Sequence, residues 1–347
     1  MVRTKIAFLY SELAGYFLAC AEELAKQADV LIVHWPINPE APFKFSPSSG
    51  LKLIAKSSRS NQALQDEINH FAPNTIVCSG WVDKDYLKIV KSLPNSIHKI
   101  VTLDNHWTGS WRQHLGVLSS PFFLKRIFSH AWVPGPEQAK FAKKLGFGGK
   151  VLDGFYCADT DLFNEKYTAT FKEKQVDFPK RFLFVARYVK HKGIFDLWRA
   201  FTELQEENPN EWELWCLGTG EEWENRILHD KIKHVGFVQP EEMKQYLSST
   251  GVYVLPSRFE PWGVSVQEMA VAGFPLVLSD AVGSHVQFLH ENGELFESGN
   301  VEELKLKLLK IMQLSANELI AFAERSHRLG MVYTPLDWAN KIMKINE

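Results

Sequence analysis

No apolar run in this 347-residue chain approaches the eighteen residues that a membrane-spanning helix requires. Cysteine is scarce. Cys20, Cys78, Cys157 and Cys216 stand singly in apolar settings, with no C-x-x-C and no histidine at metal spacing. That excludes a disulfide framework and a zinc motif, and fits reduced, buried thiols in a cytoplasmic protein. Charge of one sign is also missing: 39 Lys and Arg against 41 Asp and Glu leave a formal net charge of −2, so no general attraction for nucleic acid is expected. Low-complexity tracts and short-period repeats are absent, and with 45% hydrophobic residues a disordered chain is set aside. The opening "MVRTKIAFLY" runs into a strand with no signal-peptide core, which favours a cytosolic location. The next loop, "SELAGYF", has no G-x-G-x-x-G, which argues against a nicotinamide oxidoreductase.

What the chain does have is alternation. Short β-branched or aromatic runs at 5–10, 29–35, 74–80, 99–104, 130–135 and 150–155 alternate with helical patterns such as 14–27. The theme returns at 181–188, 213–218, 232–238, 252–257, 275–281 and 293–298. Such alternation is the signature of parallel sheets built from βαβ units. The expected fold class is α/β, with two doubly wound Rossmann-like domains facing across a cleft that holds the active site. An N-terminal domain is assigned to 1–160 and a C-terminal one to 175–330, with 156–180 (rich in Asp, Thr, Lys and Pro) read as the linker. A last helix in 331–347 packs either on its own domain's flank or back on the first domain.

Chemistry concentrates in the second half. In "VARYVKHKGIFDLWRAF" (185–201), Arg187 and Lys192 follow a strand and precede a helix near Gly193. Two cations at strand carboxyl ends suit a pyrophosphate and the charge it gathers on departure; the plain alternative is a pair of surface cations beside a turn. In "RFEPWGVSVQEMAVAG" (258–273), Pro261 keeps Glu260 out of a helix, and Gly263 allows a tight turn before a helix near Ser265. The N–H groups of Gly263, Val264 and Ser265 would then form an anion site at a helix start. Glu268 has two readings, a ligand contact or the N3 member of a capping box begun by Ser265.

Glu260 and Glu268, eight positions apart around a glycine turn in "FEPWGVSVQEMAVAGFPLV", resemble the E-x7-E motif of family 4 retaining glycosyltransferases, which have the GT-B fold. "ARYVKHKG" is similar to that family's phosphate loop, and "GFYCADTDLFNEK" to its segment before the linker. The likeness is strongest across 150–300. It implies that Arg187 and Lys192 bind the donor's diphosphate and that Glu260 contacts the donor sugar. It also implies that Gly263, Val264 and Ser265 offer amides and that Glu268 holds the ribose. The sequence departs from the family where a glycine pair is expected. Only Gly15 remains after the first strand, and Gly283 and Ser284 stand in "AVGSHVQF".

In the first half, strand ends bring Ser11, Glu12, Gly15, His34, Trp35, Trp81, Asp104, His106 and Trp107 into play. Asp104 or His106 would act on the acceptor hydroxyl; a helix cap or turn former is the other reading of Asp104. Trp35, Trp81 and Trp107 offer faces for a saccharide, or fill a core. The run 119–132, with Lys125 and Arg126 among aromatics, is either a sheet-packing helix or a peripheral membrane contact. Asp83-Lys84-Asp85 and Asp159-Thr160-Asp161 are not placed as metal pairs, so no metal and no cofactor are expected beyond a nucleotide sugar as co-substrate. The reading is a retaining transfer from that donor to a glycan or lipid-linked saccharide, in synthesis of a cell-surface polysaccharide or glycoconjugate. A nucleotide-sugar epimerase and a non-catalytic glycan-binding protein of the same architecture are the alternatives.

Overall fold

The computed structural model describes residues 3–40, 42–45 and 50–346. The chain divides into two compact units, one of Met1–Asn38, Phe43–Cys157 and Thr334–Glu347, the other of Pro39–Pro42 and Ala158–Tyr333. In the first unit, in chain order, come β1 (Lys5–Tyr10), α1 (Gly15–Ala25), β2 (Asp29–His34), β3 (Leu51–Ala55), α2 (Asn61–Phe71), β4 (Thr75–Ser79) and α3 (Lys84–Ser92). They are followed by β5 (His98–Thr102), α4 (Trp111–Ser119), α5 (Leu124–Ile127), β6 (His130–Trp132), α6 (Pro136–Lys144) and β7 (Val151–Leu152). The strands form a parallel sheet in the order β3-β2-β1-β4-β5-β6-β7. Its central strands read as continuous apolar runs because both faces are covered: β1 is buried from Ile6 to Tyr10, and β2 from Val30 to His34.

The second unit holds α7 (Thr160–Val176), β8 (Arg181–Val185), α8 (Ile194–Glu207), β9 (Glu213–Leu217), β10 (Ile232–Gly236), α9 (Lys244–Ser249) and β11 (Val252–Leu255). Then come α10 (Val264–Val271), β12 (Leu276–Ser279), α11 (His285–Phe288), β13 (Gly293–Phe296), α12 (Val301–Met312) and α13 (Ala316–Gly330). Its parallel sheet runs β10-β9-β8-β11-β12-β13, the doubly wound order. Helix starts follow capping chemistry: the Asp159 carboxylate accepts the Leu162 N–H, and Ser315 with Glu318 closes a capping box on α13.

The last helix, α14 (Pro335–Met343), belongs to the first unit. Thr334 caps it in a capping box with Asp337, and proline occupies its first turn. Trp338 is fully buried among Phe8, Phe17 and Trp132, its indole N–H donating to the Phe155 carbonyl at 2.7 Å.

Two expectations need correction. Residues 156–180 are not a linker: α7 fills most of the segment, and the division falls between Cys157 and Ala158. The apolar stripe of Phe163, Tyr167 and Phe171 was masked by Lys166 and Lys174, which are buried on the same helix. Strand β3 was also missed. It is an edge strand paired only with β2, with Lys52 exposed, so it lacks the continuous apolar run of its neighbours.

Candidate functional site in the second unit

In an open parallel sheet, ligands bind beyond the strand carboxyl ends where the winding reverses. In the second sheet that switch lies between β8 and β11. The loop after β8 carries Arg187 and Lys192, and the loop after β11 carries Glu260, so the topology brings these side chains together. A backbone clamp fixes the two loops: the Arg258 and Phe259 N–H groups both donate to the His191 carbonyl, at 2.8 and 3.2 Å. Beside the clamp the Lys192 ammonium pairs with the Glu260 carboxylate, and both side chains are largely buried. Arg258 is itself held by a two-pronged bond to Asp196, 2.7 Å on each prong.

Arg187 donates to the Glu40 carboxylate at 3.2 Å. Glu40 lies in Pro39–Pro42, the short stretch of the first half that belongs to this unit, and its carbonyl accepts the Thr219 hydroxyl at 3.0 Å. The imidazole of His191 has its pKa lowered by burial and then by Lys192 and Arg187, so this histidine is neutral and the local positive charge rests on the two long cations.

Helix α10 opens the other side of the site. Gly263 is its N-cap with φ of 85°, and a Cβ there would stand 3.1 Å from the Glu260 Cγ. The positive φ demands glycine, and the tight approach to Glu260 adds to the cost of any side chain. Gly283 is required for a different reason: a Cβ would fall 2.0 Å from the Pro261 carbonyl, while the next residue, Ser284, is buried with its hydroxyl donating to the Gly263 carbonyl at 3.2 Å. No acceptor among the described residues takes the N–H groups of Gly263, Val264 or Ser265. They are the orphan donors of a helix start.

The capping-box reading of Ser265 and Glu268 is overturned. The cap is Gly263, Ser265 lies within the first turn, and its hydroxyl accepts the Tyr253 phenol at 2.8 Å. Glu268 is thereby released from any capping duty. Among the described residues no donor reaches its carboxylate, and burial, followed by the charge of Asp159, lifts its pKa to about 7. A half-buried carboxylate without a donor is unusual, because the cost of removing it from water is not offset.

Nothing along the chain marks Tyr253, which reads as one more strand residue, or Glu40, which is remote in sequence from the other site residues. His191 acts through its backbone carbonyl, which no side-chain pattern reveals. The two D-x-D patterns are helix caps: Asp83 accepts the Asp85 and Tyr86 N–H groups and pairs with Lys56 at 2.6 Å, and Asp159 caps α7.

In the first unit the switch point lies between β1 and β4, where the Ser11 and Ser79 hydroxyls meet at 2.8 Å and Gly15 begins α1. Asp104 follows β5, exposed, with the Tyr156 phenol donating to it at 3.5 Å. It caps no helix, since Ser110 caps α4. The His106 carbonyl accepts the Gln113 amide at 2.7 Å. Trp81 and Trp107 pack against the core, with Phe141, His114 and Lys144 around the Trp107 ring. Trp35 is 37% exposed, its indole N–H held by Asp83 at 2.7 Å.

Residues 166–328 match the family model described as glycosyl transferases group 1. An uncharacterised glycosyltransferase of Methanocaldococcus jannaschii is 32% identical over 123 residues, 33% of this chain and 31% of that protein. The matches span about a third of the length of such curated relatives. Among solved structures, sucrose-phosphate synthase from Thermosynechococcus elongatus superposes with a TM-score of 0.77 at 17% identity, covering 99% of this chain and 98% of that one. Anabaena HepE in complex with UDP-glucose gives 0.72 at 15% identity, covering 99% of each. The fold is therefore GT-B, and within it residues 166–328 of the second unit are similar to the group 1 glycosyltransferases.

Proposed function

We propose that this protein is a retaining, metal-independent glycosyltransferase that moves a sugar from a nucleoside-diphosphate donor to a hydroxyl of a glycan or lipid-linked saccharide. The observation that carries the reading is the set of groups at the β8/β11 switch point left unsatisfied among the described residues: three N–H donors without acceptors and, one helical turn on, a carboxylate without donors. A ligand with an anionic centre and a hydroxylated ribose supplies both. HepE was solved with UDP-glucose, which has that chemistry.

In this reading Arg187, Lys192 and the Gly263, Val264 and Ser265 amides hold the diphosphate. Glu260, already anchored to Lys192, accepts hydroxyls of the donor sugar, and Glu268 accepts those of the ribose. The anomeric C–O bond to phosphate breaks as the acceptor oxygen attacks from the same face, and the acceptor's proton passes to the departing phosphate. The cations and amides stabilise the charge that builds on that phosphate, work that elsewhere falls to a metal. On the first unit we assign Gly15 to the donor and Trp35, Trp81 and Trp107 to the acceptor, with Asp104 or His106 orienting the acceptor hydroxyl. No helix among the described residues is long and apolar enough to cross a membrane, and we take the reaction to be cytoplasmic and part of polysaccharide or glycoconjugate synthesis.

The test is donor cleavage without acceptor across UDP-, GDP- and ADP-sugars. We expect one base to be preferred, and substitution of Lys192 by alanine to lower kcat by about 10²- to 10³-fold. Wild-type turnover by that variant would remove Lys192 from the mechanism.

A further inference from the structure

Helix α4 buries none of its nine residues. Trp111, Leu115 and Leu118 recur at helical spacing on one face and are 68%, 55% and 71% exposed; Phe122 and Phe123 extend the patch at 72% and 42%. The helix is nonetheless held firmly, from its other side. Ser110 caps it, Val117 packs against the core, and Gln113 accepts the Thr108 and Gly109 N–H groups while donating to the His106 carbonyl. An ordinary surface helix turns its apolar stripe inward; this one turns the polar Gln113 inward and three large apolar side chains outward.

The charge around the patch has one sign. Residues 105–150 contain seven Lys and Arg against a single acid, Glu137, in a chain of net charge −2. Glu137 is already paired with Lys140 at 2.6 Å. Arg112, Lys125, Arg126, Lys143 and Lys144 have no acidic partner among the described residues. The Ser120 hydroxyl donates to the Leu145 carbonyl at 2.6 Å, tying the patch to the carboxyl end of α6, where Lys143 and Lys144 lie. Lys125 stands 5.1 Å from the Phe147 ring centroid in the same loop.

We propose that this face of the first unit docks on an anionic lipid surface, with Trp111, Leu115, Leu118 and Phe122 entering the interface and the five cations meeting the headgroups. Outward apolar side chains beside unpaired cations are what such a surface rewards, since area burial and electrostatic attraction add. A second copy of this chain would have to bring an acidic patch to the same symmetric contact, and residues 105–150 have none to offer.

The test is vesicle co-sedimentation of the full chain, with phosphatidylcholine alone and with equal parts phosphatidylcholine and phosphatidylglycerol. Wild type should pellet with the anionic vesicles and bind the neutral ones at least about tenfold more weakly. Combined Leu115→Ser, Leu118→Ser and Phe122→Ser should raise the half-binding lipid concentration by about tenfold or more, and Lys125→Glu with Arg126→Glu should abolish the preference for anionic lipid. Donor cleavage in solution should be unchanged in both variants, which separates this surface from the proposed nucleotide site. If the triple variant unfolds, Leu118→Ser alone and the charge-reversed pair carry the test. No pelleting of wild type, or equal binding by all variants, overturns the proposal. So does light scattering that finds a wild-type dimer which the serine substitutions turn into monomers.

Discussion

Glu268 is the residue whose chemistry the fold alters most. Its carboxyl is raised from 4.5 to about 7 by burial and then by Asp159. The folded chain therefore holds this proton more tightly than the unfolded chain, so the residue lowers stability as pH climbs from about 4.5 to about 7, and the loss is complete above that window. In urea unfolding at pH 8, Glu268→Gln should gain on the order of 1 to 3 kcal/mol, with little gain at pH 4.5. Ligand binding should move the opposite way. Ribose hydroxyls donate best to the ionised carboxylate, so nucleotide affinity of the wild type should rise with pH to a plateau above about 7. Titration calorimetry should find that rise flattened and the affinity reduced in the glutamine variant. Glu260 and Glu268 were legible as a pair, because eight residues containing proline and glycine must separate a loop acid from a helix acid. That Glu268 takes no part in a cap was not legible, since a Ser-x-x-Glu spacing reads the same whether its serine is a cap or a first-turn residue. The positive φ of Gly263 decides it, and φ is a property of the folded loop.

At the scale of elements, α7 shows where reading by polarity fails. Lys174 is fully buried on it, with its ammonium 3.6 Å from the Phe274 ring centroid and no hydrogen-bond partner among the described residues. Burial pushes its pKa well below the usual lysine value. Here the unfolded chain holds more protons, so the cost is largest in acid and fades as pH rises toward 10.5. Lys174→Met, which keeps the volume and removes the amine, should stabilise the protein at pH 7 by about 1 to 3 kcal/mol in chemical denaturation, with a smaller gain at pH 10. A destabilised methionine variant would mean that the ring face supports a charged lysine. Most strands were readable because a parallel sheet covered on both faces imposes unbroken apolar runs such as "IAFLY" and "VYVL". The edge strand β3 and the lysine-bearing α7 break that rule, and both were misread for that reason.

At the scale of the molecule, the chain completes its first unit only with its final helix. Trp338 closes an aromatic cluster with Phe8, Phe17, Trp132 and Phe155, and Lys341 pairs with Asp153 at 2.5 Å. Trp338→Ala should cost about 3 to 5 kcal/mol in urea unfolding, the range for deleting a buried aromatic. The doubly wound order of the second unit explains why Arg187, Lys192 and Glu260, scattered over more than seventy residues, meet at one switch point. The most direct test of that assembly is the rate at which the protein releases nucleoside diphosphate from nucleotide sugars, compared between wild type and Lys192→Ala at matched folding. The account predicts cleavage of at least one UDP-, GDP- or ADP-sugar and a loss of about 10²- to 10³-fold in kcat on substitution. Absence of cleavage with every donor, or equal rates for the two proteins, would contradict it.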